Sequence, residues 1–384
     1  MRSIELFSGA GGLALGTARA GFEHAAVVER DPDCCETLRT NQRRGIARVK
    51  DWNVVEADVK LFDYSNVGPV DFIAGGVPCQ PFSLGGKHRA HEDARDMFPE
   101  FARAVAELRP RAFLVENVKG LLRTSFADYL EYIKLRLSHP LVPRGDRDWR
   151  DHRMELERIH TAGASTGLEY NVVCELLNAA DYGVPQRRER VFIVGFRADL
   201  GVRWAFPKPT HSRHSLLRDQ LETGAYWERH RIAAKAREAL IARVPPRPKT
   251  LGGEDGLAPW RTVRDAIGDI QHVRIGHTDP SDPNHYLNPG ARSYKGHTGS
   301  PWDEPAKTLK AGDHGVPGGE NTLDLGDGSA RYFSPREAAR IQTFPDDFLI
   351  TGSWTEQMRQ MGNAVPVNLA RVVADDVARC LSDR

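Results

Sequence analysis

The sequence has few cysteines, and none of them is spaced as a metal-binding or disulfide pair. Its 384 residues include five cysteines, an odd number, without a C-x-x-C pair. This pattern argues against a disulfide framework and against a zinc site, so we expect no metal. The adjacent Cys34 and Cys35 are interpreted as ordinary buried or half-buried thiols, which fits a reducing compartment.

Long hydrophobic runs are also missing. The sequence holds no uninterrupted apolar run of about 18 residues, the length that a helix needs to cross a bilayer. The first residues, MRSIELFSGAGG, lack the apolar core and the small-residue cleavage site of a signal peptide. We therefore expect a cytoplasmic protein without membrane association.

A strong overall charge is absent too, since the formal net charge is +1. The charge is uneven, however, because residues 211–250 contain nine Lys or Arg and only four Asp or Glu. Such an excess can face the phosphates of a nucleic acid. It can equally be the solvated face of a helix, and the sequence leaves both interpretations open.

Short apolar runs alternate with helical stretches in the first half of the chain. This alternation predicts an α/β fold with a doubly wound, mostly parallel seven-stranded sheet. Ligands of such sheets bind outside the carboxyl ends of the strands. The predicted strands are 4–7, 25–29, 53–59, 70–75, 112–116, 171–176 and 191–195, and the predicted helices are 11–20, 33–42, 95–108 and 120–137.

The composition changes after about residue 197, where prolines, glycines and polar residues gather. We predict a smaller, irregular and β-rich second domain there, and a terminal helix over 367–381. The predicted division is 1–205 plus 352–384 for the first domain and 206–351 for the second. The charged stretch 138–167 is expected to be an excursion on the surface of the first domain.

A glycine-rich loop follows the first predicted strand and opens the first helix. Its glycines permit a tight turn and a close approach of the backbone to a ligand, although many such turns serve packing alone. Glu29 ends the second strand, where an acid can bind ribose hydroxyls, and Asp58 ends the third. Each acid alone is more often a turn residue. The loop lacks the full G-x-G-x-x-G pattern, which favours a nucleoside cofactor without pyrophosphate over NAD.

One thiol, Cys79, lies in a loop rich in glycine and proline after the fourth strand. A nucleophilic cysteine must be exposed, whereas a lone cysteine is usually structural. Glu116 ends the fifth strand and can donate a proton to a ring nitrogen. Arg188 and Arg190 alternate before the seventh strand, so both can point toward this site as one cationic pair. Taken singly, each of these charges is more often a surface residue at a strand end.

These segments resemble, in order, the motifs of the DNA cytosine-5 methyltransferases of bacterial restriction–modification systems. The resemblance spans residues 1–197 and about 303–375, and residues 198–302 fit the variable target-recognition region of that family. The seven matching motifs are F-x-G-x-G at Phe7 to Gly11, the acid Glu29, P-C-Q at Pro78 to Gln80, E-N-V at Glu116 to Val118, Q-x-R-x-R at Gln186 to Arg190, R-E-x-x-R-x-Q-x-F-P at Arg336 to Pro345, and G-N-x-V at Gly362 to Val365.

The resemblance implies that S-adenosylmethionine is the methyl donor and S-adenosylhomocysteine the product. It implies that Cys79 adds to carbon 6 of a flipped-out cytosine, with Glu116, Arg188 and Arg190 as the other catalytic residues. The residues assigned to the cofactor are Phe7, Gly9, Gly11, Gly12, Glu29, Asp58 and Asn363. Asn363 could instead be a helix N-cap.

Double-stranded DNA is the expected partner, contacted by Gln80, Ser83, Arg292, Lys295 and Thr308. Thr308 resembles a phosphate-binding threonine of the family. Arg292 and Lys295 lie in the loop 285–300, which we assign to base reading in the major groove, unless it is only a polar loop. A cognate restriction endonuclease, a monomeric state and association with the nucleoid are further expectations.

Three other functions share part of this pattern. A tRNA cytosine-5 methyltransferase of the same fold shares P-C-Q and E-N-V, but its Cys-Phe-Thr motif is absent from this sequence. A DNA-binding module without activity would not need Cys79, Glu116 and Arg190. A NAD-dependent oxidoreductase would leave Cys79 unexplained. The sequence therefore favours a DNA methyltransferase.

Overall fold

The computed structural model describes most of the chain: residues 1–78, 96–164, 167–242, 244, 255–270, 273, 275–293, 298–311 and 321–383. The described residues form two compact units. The first comprises Met1–Leu177, Glu189–Pro207 and Ala370–Arg384, and the second comprises Asn178–Arg188 and Lys208–Leu369. None of the helices in the described ranges combines the length and the apolar character that a membrane crossing requires.

A seven-stranded sheet forms the centre of the first unit, as predicted. Its order is β3-β2-β1-β4-β5-β7-β6. Strands β1 to β5 pair in parallel, whereas β7 runs antiparallel to β5. The strands are β1 (Arg2–Leu6), β2 (Glu23–Glu29), β3 (Val54–Glu56), β4 (Phe72–Gly76), β5 (Ala112–Val118), β6 (Tyr170–Asn178) and β7 (Glu189–Arg197).

Five helices and part of a sixth belong to the same unit within the described residues. Aromatic and aliphatic side chains of the sheet and helices form its core, with Phe101 and Phe113 fully buried. The helices are α1 (Gly12–Arg19), α2 (Pro32–Arg43), α3 (Phe98–Leu108), α4 (Ala127–Ser138), α5 (Trp149–Ala162) and α12 (Val367–Ser382), the last shared with the second unit.

Three regions of the first unit depart most from the predictions. The third strand ends at Glu56 rather than 59, because the side chain of Asp58 accepts the N–H of Lys60 and caps a 3-10 turn. The helix predicted over 120–137 begins as two 3-10 turns and becomes α-helical only at Ala127. The described residues of the stretch 138–167 form no strand, as predicted, but they include the 14-residue helix α5, whose Trp149 is buried.

The second unit is built from short elements. Within the described residues, three two-stranded sheets pair β8 (His211–Ser212) with β9 (Ala258–Pro259), β10 (Thr278–Asp279) with β11 (Asp282–Tyr286), and β12 (Thr322–Asp324) with β13 (Ala330–Tyr332). The helices are α6 (Arg213–Arg218), α7 (Ala225–Arg229), α8 (Ala234–Ile241), α9 (Val263–Ile267), α10 (Pro335–Ile341) and α11 (Trp354–Asn363).

The predicted second domain ends at residue 351, whereas the second unit continues to Leu369. The difference has a physical reason: α11 packs on α10 of the same unit. The amide of Gln357 on α11 also donates to the carbonyl of Ile350 over 2.9 Å. The assignment of the two regions to catalysis and to target recognition stays a prediction.

Candidate active site

The loop after β1 turns through residues with left-handed backbone conformations. Phe7, Gly9 and Gly11 all have positive φ angles, of 54°, 52° and 89°. At Gly11 the left-handed conformation coincides with close packing, since a Cβ there would lie 2.8 Å from the side chain of Leu38. The loop therefore requires glycine at this position. Helix α1 begins directly afterwards at Gly12.

Glu29 at the end of β2 holds this loop in place. Its Oε2 accepts the N–H of Gly9 over 2.7 Å, and its Oε1 accepts the N–H groups of Arg30 and Asp31 over 2.8 Å each. A carboxylate can accept about four hydrogen bonds. The second lone pair of Oε2 is the position from which Glu29 could accept a ribose hydroxyl, in line with its predicted role.

Asp58 lies near the same edge of the sheet, just beyond the end of β3. Its Oδ1 caps the turn that follows, and its Oδ2 lies 3.5 Å from Nη1 of Arg30 in an exposed ion pair. Exposed pairs of this kind contribute little stability and are easily rearranged. Asp58 is thus accessible, and its assignment to the cofactor stays a prediction.

Glu116 and Arg190 form an ion pair at the carboxyl end of β5. Nε of Arg190 lies 2.9 Å from Oε1 of Glu116, and the two side chains are only 13% and 9% exposed. The antiparallel direction of β7 produces this contact, because the register places Arg190 beside Val118 and Phe192 beside Glu116. The sequence predicted that both side chains would point toward one site, and in the structure they form an ion pair.

The end of β4 lies beside this ion pair. Gly76 is the register partner of Glu116. A Cβ on Gly76 would stand 3.6 Å from Oε2 of Glu116 and 3.7 Å from the carbonyl oxygen of Phe7. A methyl group would fit there in ordinary van der Waals contact, so glycine leaves a small gap between the Glu116 carboxylate and the carbonyl of Phe7.

Asn117 has a structural role that the sequence did not predict. Its side chain is buried, and its Nδ2 donates to the carbonyl of Val77 over 3.2 Å. This bond joins the E-N-V motif to the residues that lead into P-C-Q. The position of Asn117 inside a recognised motif was the available signal. Cys79 itself, with Gln80 and Ser83, lies outside the described residues.

Arg188 has a different environment from Arg190. Its side chain is fully buried in the second unit, where it donates to the carbonyl of Leu309 over 3.0 Å and to that of Gly362 over 2.6 Å. The structure thus gives the two arginines different partners. Arg188 joins the Q-x-R-x-R and G-N-x-V motifs, and a catalytic role for it stays a prediction.

Two glutamines extend this buried network. Nε2 of Gln186 donates to Oε1 of Gln342 over 3.0 Å, and Nε2 of Gln342 donates to the carbonyl of Ala364 over 3.1 Å. At Gly362 a Cβ would lie 2.3 Å from the backbone of Lys310, which explains the glycine. The sequence did not predict the structural role of Gln342, although the residue belongs to a recognised motif.

The predicted DNA-contacting residues of the second unit have varied environments. Oγ1 of Thr308 donates to the carbonyl of Arg187 over 2.7 Å, and Arg292 is exposed. Lys295 lies outside the described residues. Asn363 is exposed and is the last residue of α11, while α12 begins only at Val367. The alternative that Asn363 caps the N-terminus of a helix is therefore wrong.

Comparison with known proteins identifies the class to which this fold and site belong. The model of the C-5 cytosine-specific DNA methylases matches residues 1–139 and 150–379. The chain belongs to this family, and it is a DNA cytosine-5 methyltransferase. Members of this family are S-adenosylmethionine-dependent methyltransferases.

Individual relatives cover nearly the whole chain. It is 34% identical to the Type II methyltransferase M.Eco47II of Escherichia coli, over 98% of this chain and 79% of that protein. It is 31% identical to M.NgoMIV of Neisseria gonorrhoeae, over 99% and 97%. The solved structure of the S. pombe Dnmt2 methyltransferase shares the fold, with a TM-score of 0.57 at 16% identity, over 100% of this chain and 99% of that one.

Proposed function

We propose that the enzyme methylates carbon 5 of a cytosine that is flipped out of duplex DNA, through a covalent adduct with Cys79. The observation that carries this proposal is the shielded Glu116–Arg190 pair next to the end of β4. Only Val77 and Pro78 separate that strand end from Cys79. The target carbon cannot be reached inside a base-paired stack, which is why the base must leave it.

The residues of the chain account for each step at the base. The thiolate of Cys79 adds to carbon 6, while Glu116 hydrogen-bonds or protonates ring nitrogen 3. The ring loses its aromaticity, and carbon 5 becomes enamine-like. Bound S-adenosylmethionine supplies the methyl group on its sulfonium sulfur. A water molecule then takes the proton from carbon 5, the nitrogen 3 proton returns to Glu116, and the carbon 6–sulfur bond breaks to release Cys79 as thiolate and restore the aromatic ring. Arg190 fixes the Glu116 carboxylate throughout.

The cofactor fits the chain at the glycine-rich loop. A close backbone approach through Gly9 and Gly11, an acceptor position on Glu29 and the accessible carboxylate of Asp58 suit a nucleoside with ribose and amino groups. Phe7 and Gly12 flank the loop on either side, and Asn363 is the support residue that the family resemblance suggests. No metal takes part in this proposal.

We further propose that the enzyme protects DNA in a restriction–modification system, as a monomer acting at the nucleoid. The names of the relatives as Type II methyltransferases support the restriction–modification role. A cognate endonuclease would cut the same unmethylated site. Thr308, Arg292, Lys295, Gln80 and Ser83 are the proposed DNA contacts, together with the excess of basic residues over 211–250.

A direct assay tests the proposal. Purified enzyme with labelled S-adenosylmethionine should transfer label to 5-methylcytosine in duplex DNA and not in tRNA. Cys79→Ser should abolish turnover while S-adenosylmethionine still binds. Label found only in tRNA would refute the DNA substrate, and an active Cys79→Ser enzyme would refute the covalent step. Bisulfite sequencing of DNA from expressing cells would identify the target site.

A further inference from the structure

A second ion pair lies one residue beyond the Glu116–Arg190 pair. Nζ of Lys119 lies 2.8 Å from Oε2 of Glu189. In the register of β5 and β7, Val118 is opposite Arg190. Lys119 and Glu189 come one position further along the two chains. The two ion pairs are therefore neighbours at the same end of these strands, and both belong to the first unit.

The two pairs differ in their exposure to solvent. The side chains of Arg190 and Glu116 are 13% and 9% exposed. Those of Lys119 and Glu189 are 59% and 46% exposed. Exposed ion pairs contribute little to stability and open easily in solution. The fold therefore does not depend on the Lys119–Glu189 pair, and an anion from solution can reach Lys119.

Glu189 is the acid in a motif that is otherwise cationic. The run from Gln186 to Arg190 contains three arginines and this one glutamate. An acid weakens the attraction of such a segment for a polyanion. Because the side chain of Glu189 is exposed, it does not serve the packing of the core. Its recorded contact is with Lys119, a cation that would otherwise face the solvent beside the active-site ion pair.

The proposed reaction brings phosphate groups to this end of the strands. A base that leaves the stack turns about its own backbone, so the phosphates on either side of it come to the mouth of the site. Contacts to phosphate position the duplex without reading its sequence. An ammonium group carries three donors and forms the same charge-assisted hydrogen bond with a carboxylate oxygen or a phosphate oxygen. Glu189 therefore occupies a position on Lys119 that a phosphate can take.

We propose that Lys119 binds a phosphate of the target strand beside the flipped cytosine, and that Glu189 holds Lys119 whenever no DNA is bound. The phosphate and the Glu189 carboxylate exchange places on the ammonium group. The proposal rests on the proposed methylation of a flipped cytosine in duplex DNA. Lys119 is then a substrate-binding residue, and Glu189 is an internal competitor that lowers the affinity for DNA. Neither residue binds S-adenosylmethionine, so the affinity for the cofactor should not depend on them.

The salt dependence of DNA binding tests the role of Lys119. The probe is a trace of sheared genomic DNA from cells without cytosine methylation. The enzyme concentration that gives half the maximal single-turnover rate is measured from about 50 to 200 mM salt. Lys119→Gln should lower the steepness of log affinity against log salt by about 0.9, the value of one phosphate contact. The variant should therefore bind about tenfold more weakly at the lowest salt but only about threefold more weakly at the highest.

Lys134→Gln is the matched control. Lys134 on α4 lies 2.7 Å from Glu131 in another partly exposed ion pair of the first unit. The control loses the same charge and also one ion pair, but its salt dependence should equal that of the wild type. Lys119→Arg should also retain the wild-type steepness, because it keeps the charge. An unchanged steepness in Lys119→Gln, or an equal change in Lys134→Gln, would overturn the proposal.

A double-mutant cycle tests the role of Glu189. Glu189→Gln should bind the same DNA up to about fivefold more tightly, since an exposed ion pair contributes no more than that factor. In the Lys119→Gln background the same substitution should have almost no effect, because the cation that it unmasks is gone. An equal gain in both backgrounds would refute the exchange, because Glu189 would then act only through its general negative charge.

The same assay separates this inference from the proposed function. Wild-type enzyme that methylates tRNA but leaves the genomic DNA unlabelled would refute the proposed function. If the wild type methylates the DNA while the effects of Lys119→Gln and Glu189→Gln are additive, only the exchange on Lys119 is wrong.

Discussion

Acid should destabilise the first unit through a buried histidine that hydrogen-bonds to β1 and to α1. His24 on β2 is 8% exposed, and its Nε2 lies 2.9 Å from the carbonyl of Ala14 on α1. A carbonyl can only accept, so Nε2 carries the proton, and Nδ1 accepts from the hydroxyl of Ser3 over 2.8 Å. The neutral ring satisfies both partners. Burial lowers the pKa of His24 from 6.5 to about 4.

The size and sign of the effect follow from this pKa. Between pH 6.5 and pH 4 the unfolded chain binds a proton at His24 that the folded chain does not bind, so stability falls as the pH falls. Each pH unit corresponds to about 1.4 kcal/mol. Above pH 6.5 the low pKa of His24 therefore contributes about 3 kcal/mol to the free energy of unfolding. This contribution is lost by pH 4. Because β1, β2 and α1 carry the glycine-rich loop, S-adenosylmethionine binding should be lost with it.

A non-titrating variant isolates this effect from that of Glu5. Burial raises the pKa of Glu5 on β1 well above its usual range. The contribution of Glu5 to the free energy of unfolding therefore has the opposite pH dependence: it decreases as the pH rises above the pKa that Glu5 has in the unfolded chain. His24→Gln keeps one donor and one acceptor but cannot titrate. Urea unfolding of both proteins from pH 7.5 to pH 4 should show the wild type losing about 3 kcal/mol relative to the variant. A constant difference across this range would refute the reasoning.

Three further predictions concern single side chains. Arg190→Ala should lower the single-turnover rate about a hundredfold, because the Glu116 carboxylate loses its partner, while the Kd for S-adenosylmethionine stays within about twofold of the wild type. An equal loss of methylation rate and of S-adenosylmethionine affinity would contradict the role of the ion pair. Glu29→Gln should weaken S-adenosylmethionine binding about tenfold in equilibrium dialysis, because a charged acceptor is lost, while turnover at saturation is retained. Gly195→Ala should cost at least about 1–3 kcal/mol in urea unfolding, because its Cβ would lie 2.2 Å from the ring of Phe113. Adding Phe113→Leu should recover part of that loss, and no recovery would place the strain elsewhere.

Much of the first unit could be predicted because its signals are local. Alternating apolar runs located all seven strands of the sheet. Strand ends were less predictable, since they depend on side-chain caps such as that of Asp58. The helix α5 was missed because a charged amphipathic stretch resembles a surface loop until the buried positions of Trp149 and Leu156 are known.

The candidate active site also contains residues that local sequence predicted and residues that it did not. Glu29, Glu116 and Arg190 were identified as candidates from residue type and from their places at predicted strand ends. The tasks of Asn117 and Gln342 were not, because an amide carries no chemical signal until its partner is known. Each makes its bond to a residue far away in the sequence: 40 positions separate Asn117 from Val77, and 156 separate Gln342 from Gln186.

The sequence by itself determined the family, the parallel part of the sheet and the order of the motifs, since these depend on residue identity and on local periodicity. Only the tertiary structure decided that β7 runs antiparallel to β5 and brings Arg190 onto Glu116. Only it decided that Arg188 is buried against the carbonyls of Leu309 and Gly362. Two arginines that are equivalent in sequence acquire different partners because chain topology, rather than spacing, sets which distant backbone lies beside each of them.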